Sequence, residues 1–252
     1  QSSQYDIPED NYTNENESRS GIGWGNAILA LRWNHVFSPR LFSNLTITMS
    51  DFTFDVGMDY QEHISEDTSE TDNQQKFRYY SQIREYGSQY DFEYNPLPSH
   101  YMRFEIKNTI HLFSPGVMVF DLKNANITLD TTFGDEDIPA NEFSAYLEDD
   151  IQFGRKFKIN AGIHYSNFNL SDTSYYSIEP RISARYMFTD DLSVKASYVK
   201  MTQYMNLLTN STLGLPTDLW IPSTRNIHPQ RAWQVAAGGA LAIGTDYEIA
   251  LE

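Results

Sequence analysis

Phe157-Lys158-Ile159-Asn160-Ala161-Gly162-Ile163-His164-Tyr165-Ser166 alternates without a break. Its odd positions are apolar or aromatic, and its even positions are charged, polar or glycine. Successive side chains of a β-strand point to opposite faces, so this stretch reads as a strand with one apolar and one wet face. A surface helix would need its apolar residues three and four apart, and they are not so spaced.

The pattern spreads in both directions. Before Gly154-Arg155-Lys156, Phe143, Ala145, Leu147 and Ile151 alternate with Ser144, Glu148, Asp150 and Gln152. Afterwards Tyr176, Ile178, Ile182, Ala184 and Tyr186 oppose Ser177, Glu179, Arg181, Ser183 and Arg185. Beyond Thr189-Asp190-Asp191, Val194, Ala196 and Tyr198 oppose Ser193, Lys195 and Ser197. Earlier, Ala27, Leu29, Leu31, Trp33 and Phe37 share one face, and so do Leu45, Ile47 and Met49. Tyr90, Phe92 and Tyr94 alternate with Gln89, Asp91 and Glu93; Met102, Phe104, Ile106, Ile110 and Leu112 alternate with Arg103, Glu105, Lys107, Thr109 and His111. Trp233–Leu241 and Tyr247–Leu251 form a last pair. The count is about ten strands.

Alternation alone also fits a soluble sandwich with one solvated face. Two further patterns favour a membrane barrel. Short turns fall at 38–40, 95–100, 154–156, 189–191 and 244–246, and longer polar connections are expected at 60–76, 114–140, 168–174 and 202–230. Short turns at one end and long loops at the other mark a transmembrane barrel. Aromatic residues also gather at the short-turn end: Trp33, Phe37 and Phe42; Tyr94 and Tyr101; Phe153 and Phe157; Tyr186 and Phe188; and Trp233 in the strand leading to the last turn. Such rings form an interfacial girdle. The expected fold is all-β, a transmembrane antiparallel up-and-down barrel of which these strands are one part.

Composition agrees. The 252 residues are 40% hydrophobic and 14% aromatic, with 17 Tyr and 15 Phe and a mean hydropathy of −0.52. No segment has the 18 or so apolar residues of a membrane helix, but barrel strands are apolar only at every second position. The net charge of −16 repels phosphate backbones and argues against nucleic-acid binding. The absence of cysteine excludes disulfides and thiolate metal sites.

The chain is read as a single barrel segment over 1–252, with 1–20 as a polar outer loop and 21–252 as strands, turns and loops. Gln1–Ser20 has no apolar core and is not a signal peptide, and Tyr247–Glu252 stops in mid-alternation. The expectation is a mature or internal segment. The acidic stretches 63–72 and 134–137 could hold a calcium ion, but neither has the EF-hand spacing, and solvated loops are the simpler reading. No nucleophile elbow, zinc-protease helix or phosphate loop is present. His164 and Ser166 share a face, which suits a polar wall better than a catalytic pair. No enzyme activity, cofactor or metal is expected.

At Tyr204-Met205-Asn206-Leu207-Leu208-Thr209-Asn210-Ser211-Thr212-Leu213-Gly214-Leu215-Pro216-Thr217-Asp218-Leu219-Trp220-Ile221-Pro222-Ser223-Thr224-Arg225-Asn226-Ile227-His228-Pro229-Gln230 the chain resembles the TonB-dependent outer-membrane transporters, in particular receptors with a carboxypeptidase-regulatory-like extension. Ser144–Asp150, Asn160–Ser166 and Ile178–Tyr186 share the likeness. It implies a 22-stranded barrel in the outer membrane of a Gram-negative bacterium, surrounded by lipid and closed around an N-terminal plug. It also implies import of a scarce ligand (siderophore, haem, vitamin or glycan), energised through TonB contacting the N-terminal region, and in some cases a surface lipoprotein partner. The plug and the closing C-terminal strands are expected to lie outside these residues. A passive or enzymatic barrel, or a secreted all-β binding module, remains the alternative.

Apolar and aromatic residues on an exposed connection mark a binding surface or a packed lid. Tyr204, Asp218, Trp220 and Arg225 in the 202–230 connection are therefore the first ligand-contact candidates, with Glu179 and Arg181 on the wall. Trp220 is expected to anchor the connection by burial.

Overall fold

The computed structural model describes residues 13–66, 69–124, 127–134, 137–208, 219–244 and 247–252. All regular structure among them is strand, in the order β1 (Thr13–Ser38), β2 (Leu41–Glu66), β3 (Ser69–Tyr94), β4 (His100–Lys123), β5 (Thr128–Phe133), β6 (Ile138–Phe153), β7 (Phe157–Leu170), β8 (Thr173–Met187), β9 (Leu192–Gln203), β10 (Met205–Leu208), β11 (Leu219–Pro222), β12 (Gln230–Ile243) and β13 (Tyr247–Leu251). The main sheet runs β1-β2-β3-β4-β6-β7-β8-β9-β12-β13, with β5 paired to β4, and β10 and β11 pair separately. Ten strands in sequence order, each beside its chain neighbour apart from β5 and the hairpin, make an up-and-down meander.

Two compact units divide this ladder. One comprises the described parts of 1–26, 52–83 and 114–137; the other comprises Ala27–Asp51, Arg84–Phe113 and Ile138–Glu252. In the second, residue pairing is continuous from β4 to β8. Arg103 faces Glu148, Glu148 faces Gly162, and Gly162 faces Arg181. In another row, Ile106 faces Ala145, which faces Tyr165, which faces Ile178. Rows of one parity are charged and rows of the other are apolar, so the alternation read on single strands propagates across the sheet.

The apolar rows stay uncovered. Leu29, Leu31, Ile106, Ile163, Ile182 and Val194 are all exposed, and Leu29 reaches 70%. A soluble protein rarely leaves so wide an apolar face open; hydrocarbon is the solvent that suits it. At the short-turn end Phe153, Phe157, Tyr186 and Phe188 make a chain of ring contacts across β6, β7 and β8, with centroids 5.7, 6.5 and 5.0 Å apart in turn. Gly154 and Gly244 take φ of +64° in two of the short turns, a left-handed conformation that a side chain would strain.

The structure departs from the sequence reading in its connections. Residues 60–66 and 69–76, expected as loop, belong to β2 and β3, and 168–174 is almost wholly strand around Ser171-Asp172. The 114–140 connection carries the end of β4, all of β5 and the start of β6. Thr13–Ser20, assigned to a loop, opens β1. Segments such as Ser69–Lys76 are polar on both faces, so apolar alternation could not reveal them. Their backbones still complete a ladder. A tilted strand crosses a bilayer with about 9–11 residues, so the 26 residues each of β1, β2 and β3 reach well beyond it.

Pro180 marks one local irregularity. It stands inside β8 opposite Ile163, and the β8–β9 ladder begins only after it, at Arg181 facing Val199. Proline has no N–H to donate, so a break there is expected. Side chains bridge the gap above it: Ser177 Oγ lies 2.8 Å from Thr202 Oγ1, and Lys200 Nζ donates to the Ile178 carbonyl at 3.2 Å.

Candidate functional site

Several buried polar groups of the second unit, Thr109, His111, Ser144, Ser166, Ser177 and Glu179, gather on the charged face of β4, β6, β7 and β8. Glu179 is 2% exposed. Its carboxylate lies 3.0 Å from His164 Nδ1 on the facing strand, accepts from Ser166 Oγ at 3.5 Å, and has Arg181 3.9 Å away. A buried carboxylate is costly unless it is paired and hydrogen-bonded, and this one is both. Ser166 Oγ also lies 2.8 Å from the Tyr204 hydroxyl. Tyr204 and Glu179, two of the residues singled out from sequence, therefore meet through Ser166.

Tyr204 stacks on Phe168, with centroids 5.1 Å apart and planes 5° from parallel. Phe168 in turn lies 6.2 Å from the His111 ring, which also stacks near Phe113. Phe113 and Phe168 are fully buried. His111 sits between two carboxylates, 2.8 Å from Glu85 and 3.4 Å from Glu142. A small aromatic core is thus built on the polar face, flanked by two His–carboxylate groups.

Tyr204 comes from the segment after β9, where the β10–β11 hairpin begins. The hairpin pairs Leu207 with Trp220 and Met205 with Pro222. The Ser223 N–H donates to the Tyr204 carbonyl at 2.7 Å, Asn206 Nδ2 donates to Ser223 Oγ at 3.2 Å, and Gln230 Nε2 donates to Asn206 Oδ1 at 3.0 Å. Ser223 and Asn206 are buried. Tyr175 closes the attachment, donating its hydroxyl to the Thr224 carbonyl at 2.7 Å. Among the described residues, these bonds fasten the base of the hairpin to the wall.

The remaining candidates sit differently. Trp220 lies in β11 and is only half-buried, so the anchor is Tyr204 and not Trp220 as expected. Arg225 is exposed in the turn closed by Thr224 and Ile227. Asp218 and the Leu215-Pro216 pair lie outside the described residues, as does part of the 134–137 acidic stretch. Sequence reading missed Phe113, Phe168 and His111 as a cluster. A signal existed: Phe168 shares the parity of His164 and Ser166, and an apolar ring on a wet face implies a cover.

The cluster supports a direct test. Tyr204→Phe removes one buried hydroxyl bond and leaves the ring stack. It is expected to cost about 0.5–1.5 kcal/mol in refolding, the usual worth of a neutral hydrogen bond. A loss several times larger would mean that the hydroxyl holds the whole network.

Residues 1–245 match the family described as TonB dependent receptor-like, beta-barrel. The chain belongs to that family. As a barrel of that family it belongs to the outer membrane of Gram-negative bacteria. Among solved structures it is similar to the siderophore receptor PirA from Pseudomonas aeruginosa, at 10% identity over 94% of this chain and 47% of that one, TM-score 0.43. It is similar to the ferric preacinetobactin receptor BauA from Acinetobacter baumannii, at 12% identity over 92% and 45%, TM-score 0.39. It is also similar to a chain of the RagAB peptide importer, at 8% identity over 86% and 28%, TM-score 0.43. The receptor barrel segment spans less than half of each of those chains. No curated protein matches it.

Proposed function

We propose that this chain is part of the wall of a transporter that imports a scarce ligand across the outer membrane, with energy delivered by TonB. The family match over 1–245 carries the reading, and the open apolar face opposite a charged one supports it. The rest of the parent protein supplies a plug inside the barrel and the segment that TonB contacts. A surface lipoprotein is a further partner of this reading.

In the same proposal the β10–β11 hairpin is the first ligand surface. Arg225 is exposed on it beside the half-buried Trp220, and Arg181 is exposed on the wall. Tyr204 and Glu179 act from beneath by fixing the base of the hairpin.

Uptake in whole cells tests this. A receptor-deleted strain complemented with the full-length gene is expected to regain growth on a limiting ligand, and loss of TonB should abolish that growth. Growth independent of TonB would point to a passive barrel. Trp220→Ala is expected to lower uptake at unchanged barrel abundance in the outer membrane. Unchanged uptake would make the hairpin a mere connection.

A further inference from the structure

Near the short turns, the charged face of β7, β8 and β9 carries three cations in one register row. Lys158 faces Arg185, and Arg185 faces Lys195. Directly opposed side chains on one face lie about 5 Å apart at Cβ, where like charges destabilise a sheet. Two of the three have partners: Lys158 Nζ is 3.5 Å from Asp150, and Lys195 pairs with Glu252. Among the described residues Arg185, the middle member, has neither an ion pair nor a hydrogen bond. The row opens on a cleft of about 460 Å³. Asn160, Ser183 and Ser197 line the same cleft, and Ser183 faces Ser197 across the strands.

We propose that Arg185, with Lys158 and Lys195 beside it, is a carboxylate-binding site on the lumenal wall. The guanidinium offers five N–H donors in a planar fork, which takes a carboxylate through two parallel bonds. Ser183, Ser197 and Asn160 supply neutral donors around it. Among the described residues lining the cleft, three cations against the Asp150 and Glu252 side-chain carboxylates leave one net positive charge, which a monoanion neutralises and a dianion would overshoot. The occupant is a carboxylate in the water-filled barrel, carried either by a free solute or by an Asp or Glu of polypeptide that fills the lumen. The proposal rests on the charged face being lumenal. That reading has its own test in the spin-label profile of β7, which does not depend on Arg185.

Arginine labelling of the full-length receptor in detergent separates the two sources. Phenylglyoxal modification of Arg185 is followed by mass spectrometry, with Arg155 in the exposed turn as internal reference. Acetate and acetamide are added in parallel as charged and uncharged probes. A polypeptide carboxylate is expected to slow Arg185 about tenfold relative to Arg155 with nothing added, as a charge-assisted pair would. A carbodiimide should then join the amine introduced by Arg185→Lys to an Asp or Glu elsewhere in the protein. A free solute is expected to leave Arg185 at the reference rate until acetate, but not acetamide, slows it. Labelling at the reference rate in all three conditions overturns the site. Slow labelling without that cross-link overturns it as well.

Discussion

Replacing Phe168 with alanine is expected to cost about 3–5 kcal/mol in refolding, more than any other single truncation in the hairpin or its base. Phe168 is fully buried between the Tyr204 ring and the His111 ring, so its removal leaves a cavity that neither rigid neighbour can fill. Denaturant refolding into detergent or lipid measures the cost. The loss should have a local signature too. With the stack gone, the Tyr204 side chain keeps its hydroxyl bond to Ser166, and its carbonyl keeps the bond from the Ser223 N–H. Proteolysis within the hairpin should therefore accelerate before the strands β6, β7 and β8 open. Trp220→Ala, at a half-buried site, should cost clearly less. Equal costs for the two would place the anchor of the hairpin elsewhere.

The second large effect separates the two faces of one strand. Ile163 lies near the middle of β7 on the apolar face, 51% exposed, in the row formed by Leu147 and Pro180. Ile163→Arg is expected to destabilise the barrel by about 2–4 kcal/mol, the cost of a charge on the lipid side near the bilayer midplane. His164→Arg, the next residue, should cost little, because it faces Glu179 and keeps a cation beside that carboxylate. Refolding into lipid vesicles compares them directly. Similar costs for both would remove the basis for calling one face lipid-facing.

Much of the fold was legible in sequence, for a simple reason. Over much of β6 to β9 the strands are two-faced, so parity gave the strands, the turns at 154–156 and 189–191, and the faces of Ile163, Arg181 and Lys195. The outer parts of β1 to β3 were not legible because long stretches of them are polar at both parities, and that of β4 because Val117–Phe120 is apolar at both. Backbone hydrogen bonds hold such strands, and those leave no periodic trace in side chains. The 202–230 connection was recognised as special and Tyr204 was among its candidates, but what holds Tyr204 in place was not visible. Tyr204 is anchored by Phe168 and Ser166, 36 and 38 positions away, a distance only register can bridge. The unpartnered state of Arg185 is likewise a product of register, which lines up three cations from three strands.

If the apolar face of this ladder meets lipid and the charged face meets water, the two must differ in what reaches them. The chain has no cysteine, so single cysteines can be placed at will. Spin labels attached at each position from Lys158 to Ser166 in the full-length receptor, reconstituted in lipid, would be read for collisions with oxygen and with a water-soluble nickel chelate. Ile159, Ala161, Ile163 and Tyr165 are expected to favour oxygen, and Lys158, Asn160, Gly162, His164 and Ser166 the chelate, in strict alternation. A profile without period two, or one with its phase reversed, would refute the assignment of the two faces.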